Sequence, residues 1–133
     1  MNVAYVNGVY TNSQESAYEG NKVELVPNLT TKIGVNWVRN KWKLGFQYSY
    51  TGEQFSDASN SEFEANAVSG IIPSYQVMDF SAKYSFSKVY IEANINNLSN
   101  VSYFTRRASG YPGPGIIPAE PRSIFVTLGL KLK

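Results

Sequence analysis

Residues 28–51 read NLTTKIGVNWVRNKWKLGFQYSYT. Over 28–38, Leu29, Thr31, Ile33, Val35 and Trp37 share one parity, against Asn28, Thr30, Lys32, Gly34 and Asn36. Over 42–51, Trp42, Leu44, Phe46, Tyr48 and Tyr50 alternate with Lys43, Gly45, Gln47, Ser49 and Thr51. Successive side chains of a strand point to opposite faces, so this period predicts two strands, each with one apolar face. Arg39, Asn40 and Lys41 between them make a turn of hairpin length.

The same pattern recurs downstream. In 75–86, Met78, Phe80, Ala82, Tyr84 and Phe86 alternate with Asp79, Ser81, Lys83 and Ser85. In 89–97, Val89, Ile91, Ala93 and Ile95 alternate with Tyr90, Glu92, Asn94 and Asn96, and only Ser87 and Lys88 separate the two segments. Ile124, Val126, Leu128, Leu130 and Leu132 mark one face of a closing strand over 122–133, against Phe125, Thr127, Gly129, Lys131 and Lys133. A first strand near 2–11 is less regular, since Val3, Tyr5 and Val9 compete with Ala4, Val6 and Tyr10 for the apolar side. The expected fold is therefore all-β: an antiparallel up-and-down meander of about six strands.

The connections alternate in length. Those at 39–41 and 87–88 are short, while 12–27, 52–74 and 98–121 are long and rich in turn residues. In SGYPGPGIIPAEP (109–121), Pro and Gly argue against a regular ladder. Long connections without structure of their own count against a compact soluble domain. Short turns at one end and long loops at the other are the layout of an outer-membrane β-barrel, whose spanning strands need about 9–11 residues. The two faces fit: one is apolar or aromatic, the other carries Lys32, Gln47, Lys83, Glu92 and Asn94. Trp37, Trp42, Tyr84 and Phe86 flank the short turns, as a girdle at one membrane interface would, with Tyr90 beside the second turn. Tyr48, Tyr50, Tyr75 and Tyr103 are expected in the girdle at the other interface.

Composition narrows the function. The chain has 133 residues, the size of a single domain, and 12 basic against 10 acidic side chains for a net charge of +2. That balance excludes a strongly basic nucleic-acid binder. With no Cys and no His, disulfides, thiol nucleophiles, imidazole bases and most zinc sites are removed. No catalysis and no resident cofactor or metal is expected. Charged residues are 17%, below the roughly 25% of an average soluble domain, and aromatics reach 14%. Residues 1–20 lack any Lys or Arg, so no export-signal pattern is visible there, and no apolar run is long enough for a spanning helix.

Three segments carry a family likeness. Pro73, Tyr75, Val77 and Asp79 lead into the 75–86 strand; Asn96, Asn97 and Leu98 end the next and are followed by Tyr103; Arg122 opens the closing strand. In this order and spacing they resemble the C-terminal end of a TonB-dependent outer-membrane receptor. The stretches VPNLTTKIGVNW (26–37) and YSYTGEQFSDASN (48–60) are similar to the preceding strands, and GYPGPGIIPAE (110–120) resembles the ferric-citrate branch. The resemblance spans nearly the whole chain. It implies the C-terminal part of a larger transmembrane β-barrel, a 22-stranded wall around a plug, with these strands the last six. It further implies a cell outer membrane location in a Gram-negative bacterium and energy-coupled uptake of a ferric chelate, a siderophore or ferric citrate. The implied partners are outer-membrane lipid, the rest of the barrel and the plug, the TonB complex acting through that plug, and the barrel-assembly machinery at the closing strand. Two departures stand: the family's terminal aromatic residue is replaced by Leu132–Lys133, and the plug and about sixteen strands lie outside this chain. Six strands cannot close around a lumen, and unpaired edges in lipid cost several kcal/mol per group, so the chain is expected to be a piece of a longer receptor or a truncated reading frame. The rival readings are a passive outer-membrane pore or adhesin barrel, and a soluble β-sheet binding module.

The candidate ligand residues are Arg106, Arg107 and Tyr111 in the 98–121 loop, where paired guanidiniums suit an anionic chelate. Against this, Arg residues on a loop are commonly solvated or paired. Glu53, Asp57, Glu62 and Glu64 crowd the 52–74 loop, but their spacing matches no compact calcium loop, and a solvated acidic loop is expected. Lys83 and Glu92 are expected to pair across neighbouring strands as a structural contact. Gly110, Gly113 and Gly115 do not make a phosphate loop, because Pro112 and Pro114 remove backbone donors. The long loops hold eight of the acids, while Arg39, Lys41 and Lys88 sit in the short turns, so the two ends differ in charge.

Overall fold

The computed structural model describes residues 1–65, 67–110 and 113–131. Along the chain its strands are Asn2–Tyr5 (β1), Leu29–Arg39 (β2), Trp42–Thr51 (β3), Gln54–Phe55 (β4), Ile71–Ile72 (β5), Tyr75–Phe86 (β6), Val89–Asn96 (β7), Phe104–Ala108 (β8), Gly115–Pro118 (β9) and Ser123–Leu130 (β10). Six of them make one antiparallel sheet in the order β1-β2-β3-β6-β7-β10. Neighbours in the sheet are neighbours in the chain, apart from short strands within the long loops, which is the expected meander. Arg39 pairs with Trp42, leaving a two-residue turn in which Asn40 takes a left-handed φ of 54°. Asn tolerates that region because its short side chain bonds locally. At the second turn Phe86 pairs with Val89. The Ser85 N–H reaches the Lys41 carbonyl and the Lys131 N–H the Lys88 carbonyl, which aligns the short-turn end of the sheet.

Three details differ from the sequence expectation. The first strand stops at Tyr5, whose partner is Leu29, the first residue of β2. With Val3 opposite Thr31 and Tyr5 opposite Leu29, the competition between parities resolves in favour of Val3 and Tyr5 on the apolar side. The second and third long loops are also not free of ladders, since β4 pairs with β5 and β8 with β9. The Pro and Gly of 109–121 did not prevent pairing, because Pro118 sits at the strand terminus opposite Phe104, where a missing donor costs little. Ser16–Tyr18 forms one 3-10 turn in the first long loop.

Among the described residues no second layer of strands or helices covers either face of the sheet. Among the described residues Ile72, under the loops, is the one fully buried hydrophobic side chain, while Val35, Val126 and Leu128 on the apolar face remain 61, 68 and 74% exposed. A soluble sheet of this size would bury one face against a second layer. This one presents a continuous apolar surface, a feature of an interaction or membrane face. Among the described residues no helix is long and apolar enough to cross a membrane.

Candidate functional site

The cross-strand register fixes the polar face. Lys43 stands opposite Lys83, Lys83 opposite Glu92, and Glu92 opposite Thr127. Lys83 Nζ lies 3.1 Å from Glu92 Oε2, the pairing read from the sequence, and 3.6 Å from the centre of the Tyr90 ring. Tyr90 in turn covers Gly129, its direct partner, so that a Cβ at Gly129 would collide with the ring. The missing side chain thus makes room for an aromatic ring held from above by an ammonium.

Towards the long-loop end, Asp79 organises the junction between wall and loop. Its Oδ1 accepts the Asn97 N–H at 2.9 Å and its Oδ2 the Gln47 amide at 3.3 Å. Asn97 is nearly buried, with a left-handed φ of 50°. Its side chain accepts the Val101 N–H at 2.9 Å and donates to the carbonyls of Val101 (2.9 Å) and Glu120 (3.4 Å), so one residue holds both ends of the 98–121 loop. Asn100 Oδ1 accepts the Arg122 N–H at 3.0 Å, and the Arg122 guanidinium reaches the Leu98 carbonyl at 3.4 Å. The residues of the family likeness therefore converge in space. Above this junction a recess of about 460 Å³ opens between the polar face and the loop, lined by Lys32, Asp79, Asn97, Tyr103 and Glu120 among others.

The aromatic residues at the short-turn end form one cluster. Trp42 and Tyr84 have ring centres 4.6 Å apart at 55°, and Tyr84 meets Phe86 edge-on at 4.6 Å. Trp37 lies exposed on the same face. Tyr48 Oη donates to Gln76 at 2.9 Å, with Tyr50 opposite Gln76 in the register. Tyr75 departs from the expectation: it has the parity of Asp79, so it belongs to the polar face, where it stacks on Tyr103 at 4.5 Å. Burial, helped by the neighbouring Tyr75, Asp79 and Glu120, raises the Tyr103 phenol above its usual range.

The two candidate arginines are not used alike. Arg106 and Arg107 are consecutive in β8, so their side chains leave on opposite sides. Arg106 is exposed. Arg107 is taken up by the 52–74 loop, donating to the carbonyls of Ala67 and Ile71 at 2.8 Å each. Its Nε is buried without an acceptor, and its guanidinium lies 5.2 Å from the Phe104 ring centre. A paired-guanidinium clamp is thus not what β8 presents. Tyr111 lies outside the described residues. Asp57 is occupied within its own loop: burial opposes its charge, but bonds from Ser59, Ser56 and Ser69 outweigh that and hold its carboxyl below the usual range. Among the described residues no three acids converge as a metal site. Sequence reasoning missed Asn60, whose side chain accepts the Lys22 N–H at 2.7 Å and donates to the Lys22 carbonyl at 2.8 Å. No local pattern marks it.

Comparison with known proteins agrees with the geometry. Residues 1–98 match the family described as TonB dependent receptor-like, beta-barrel. A probable TonB-dependent siderophore receptor, PiuA of Acinetobacter baumannii, is 28% identical over 121 residues, covering 90% of this chain and 15% of its own. The crystal structure of that species' siderophore receptor PiuA superposes with a TM-score of 0.68 at 30% identity, over 85% of this chain and 15% of that one. The ferric citrate transporter FecA, in its unliganded form, gives a TM-score of 0.78 at 21% identity, over 87% of this chain and 18% of that one, a likeness of fold. The chain thus spans less than a fifth of the length of these relatives.

Proposed function

The chain belongs to the TonB-dependent receptor-like β-barrel family, and from that premise we propose that it forms the C-terminal wall of an outer-membrane receptor for energy-coupled uptake of a ferric chelate. The observation that carries this reading is a sheet without a second layer among the described residues: an apolar surface from Val35 to Leu128 suits lipid, and a polar one with Lys43, Lys83, Glu92 and Asp79 suits a wet lumen. In this arrangement Trp37, Trp42, Tyr84 and Phe86 line one interface and Tyr48 and Tyr50 the other. The long loops face outward. Arg106 offers an exposed cation to an anionic chelate, with Tyr111 in the same loop, while Arg107 supports it from behind. The remaining wall and plug, the TonB complex and the barrel-assembly machinery are the corresponding partners. The segment itself breaks no bond.

The test is to raise an antibody to the 98–121 loop and follow it in outer-membrane fractions. A membrane band several-fold heavier than 14.8 kDa is expected; a soluble band at 14.8 kDa would remove the reading. In that receptor Arg106→Ala is expected to weaken ferric chelate binding, and unaltered affinity would remove the ligand role of the loop.

A further inference from the structure

The three long loops are joined to one another by side chains. Between the first and second, Asn60 clasps Lys22 by accepting its N–H and donating to its carbonyl, as a backbone strand partner would. Asn60 does so from a left-handed φ of 55°. Asn21 adds an amide bond to the Ala58 carbonyl at 2.9 Å, and the Leu25 N–H reaches the Phe55 carbonyl at 2.9 Å. Between the second and third, the Arg107 fork grips the Ala67 and Ile71 carbonyls on either side of Gly70. Gly70 allows the approach: its φ is 140°, and a Cβ there would lie 3.0 Å from the Glu62 carbonyl oxygen and 3.4 Å from the guanidinium. Both clasps bind main-chain atoms, so each fixes the backbone of the neighbouring loop. For any one loop to move alone, several bonds must break together.

We infer that the three loops form a single coupled cap with the 52–74 loop as its middle piece, and that Asn60 and Arg107 are positioning residues that set how Arg106 is presented. The inference rests on the reading that these loops face outward in a receptor. A cap of this kind passes a disturbance at the Lys22 clasp to the β8–β9 hairpin through the middle loop, whose Ala67 and Ile71 carbonyls Arg107 holds.

The test uses the complete receptor in its membrane, without ligand, on a cysteine-free background. Spin labels at Asn12, Glu62 and Ser109 report the two inter-loop distances. Wild type is expected to give narrow distributions for both pairs. Asn60→Gly, which keeps the left-handed backbone and removes the clasp, should broaden the Asn12–Glu62 distance. Arg107→Ala should broaden the Glu62–Ser109 distance, with Arg107→Lys restoring it only in part, since a point charge lacks the fork. Wild-type distributions as broad as those of the variants overturn the cap. The second readout is transmission: with Arg106→Cys as reporter, Asn60→Gly is expected to change its rate of modification by an impermeant thiol reagent about fivefold. An unchanged rate overturns the coupling even if the distances broaden. Failure of the wild-type receptor to bind either ferric citrate or a panel of ferric siderophores would count against the transport reading and leave both outcomes as they stand.

Discussion

Asp79 and Asn97 meet where the wall of the sheet gives way to its longest connection: the carboxylate in the middle of the sheet accepts the N–H of a residue in left-handed conformation, at 2.9 Å. The Asn97 side chain then secures Val101 and Glu120, the outgoing and returning ends of the loop. Asn97→Ala removes those bonds, leaves buried partners unsatisfied and puts in the left-handed region a residue without the local side-chain bonds by which Asn tolerates it. A loss of about 3 kcal/mol in local stability is expected. Limited proteolysis confined to 98–121 reads it, and cleavage no faster than in wild type would refute it.

Gly129→Ala is expected to destabilise the barrel by about 1–2 kcal/mol, because the new methyl group drives Tyr90 off its place beneath Lys83. The loss should shrink in combination with Tyr90→Ala, as a double-mutant cycle on urea unfolding in detergent would show. Additive effects would mean that the ring had room to move.

The row Lys43, Lys83, Glu92 predicts an ordering. Each partner of the ion pair is about one-third exposed, so solvent screens it and either change costs little, about 0.5 kcal/mol. Glu92→Gln should still cost more than Lys83→Gln, because it leaves two facing lysines without a counter-charge. Equal losses would show that Lys43 is fully solvated.

Val126 and Thr127 are adjacent in β10 and face opposite sides. Val126→Arg is expected to cost about 2–4 kcal/mol in a membrane and to lower the amount of folded barrel in outer-membrane fractions. Thr127→Arg, placed opposite Glu92, should be tolerated. Equal abundance of the two variants would contradict the assignment of faces.

Two loop groups respond to pH in opposite directions. Asp57 is held below the usual carboxylate range, so its contribution is present above the unfolded value of 3.8 and lost as pH falls through its lower folded value. Tyr10 is held above 10.0, first by its hydrogen bond to Glu24 and then by burial. Its contribution is present below 10.0 and lost as pH rises through the higher folded value. Protection against hydrogen exchange, taken relative to the intrinsic rate at each pH, should fall in 52–74 on acidification and in 6–28 on strong alkalisation. Asp57→Asn should abolish the first response.

Strand identity was legible because period two is a local property: each residue from Leu29 to Trp37 declares its face by parity alone. The same rule, counted back from Asp79, places Tyr75 on the polar face, even though its ring chemistry suggests a girdle. The limit of β1 was not legible, because it depends on where β2 begins. Nor did the loop composition reveal β8 and β9, since their pairing draws on a hairpin that closes over an intervening loop. In the sequence Arg106 and Arg107 are indistinguishable. Alternation and an accepting loop divide them into an exposed cation and a half-buried clasp.

Side-chain parity and turn length act within a few residues, and they already specify the six-stranded meander, its two faces and the difference between its ends. The hold on the loops arises at long range instead. Asn60 meets Lys22 across 38 positions and Arg107 meets Ala67 across 40. Each contact is made to a main-chain atom, which every residue type carries and no pattern of side chains marks, so it exists only once the chain has folded.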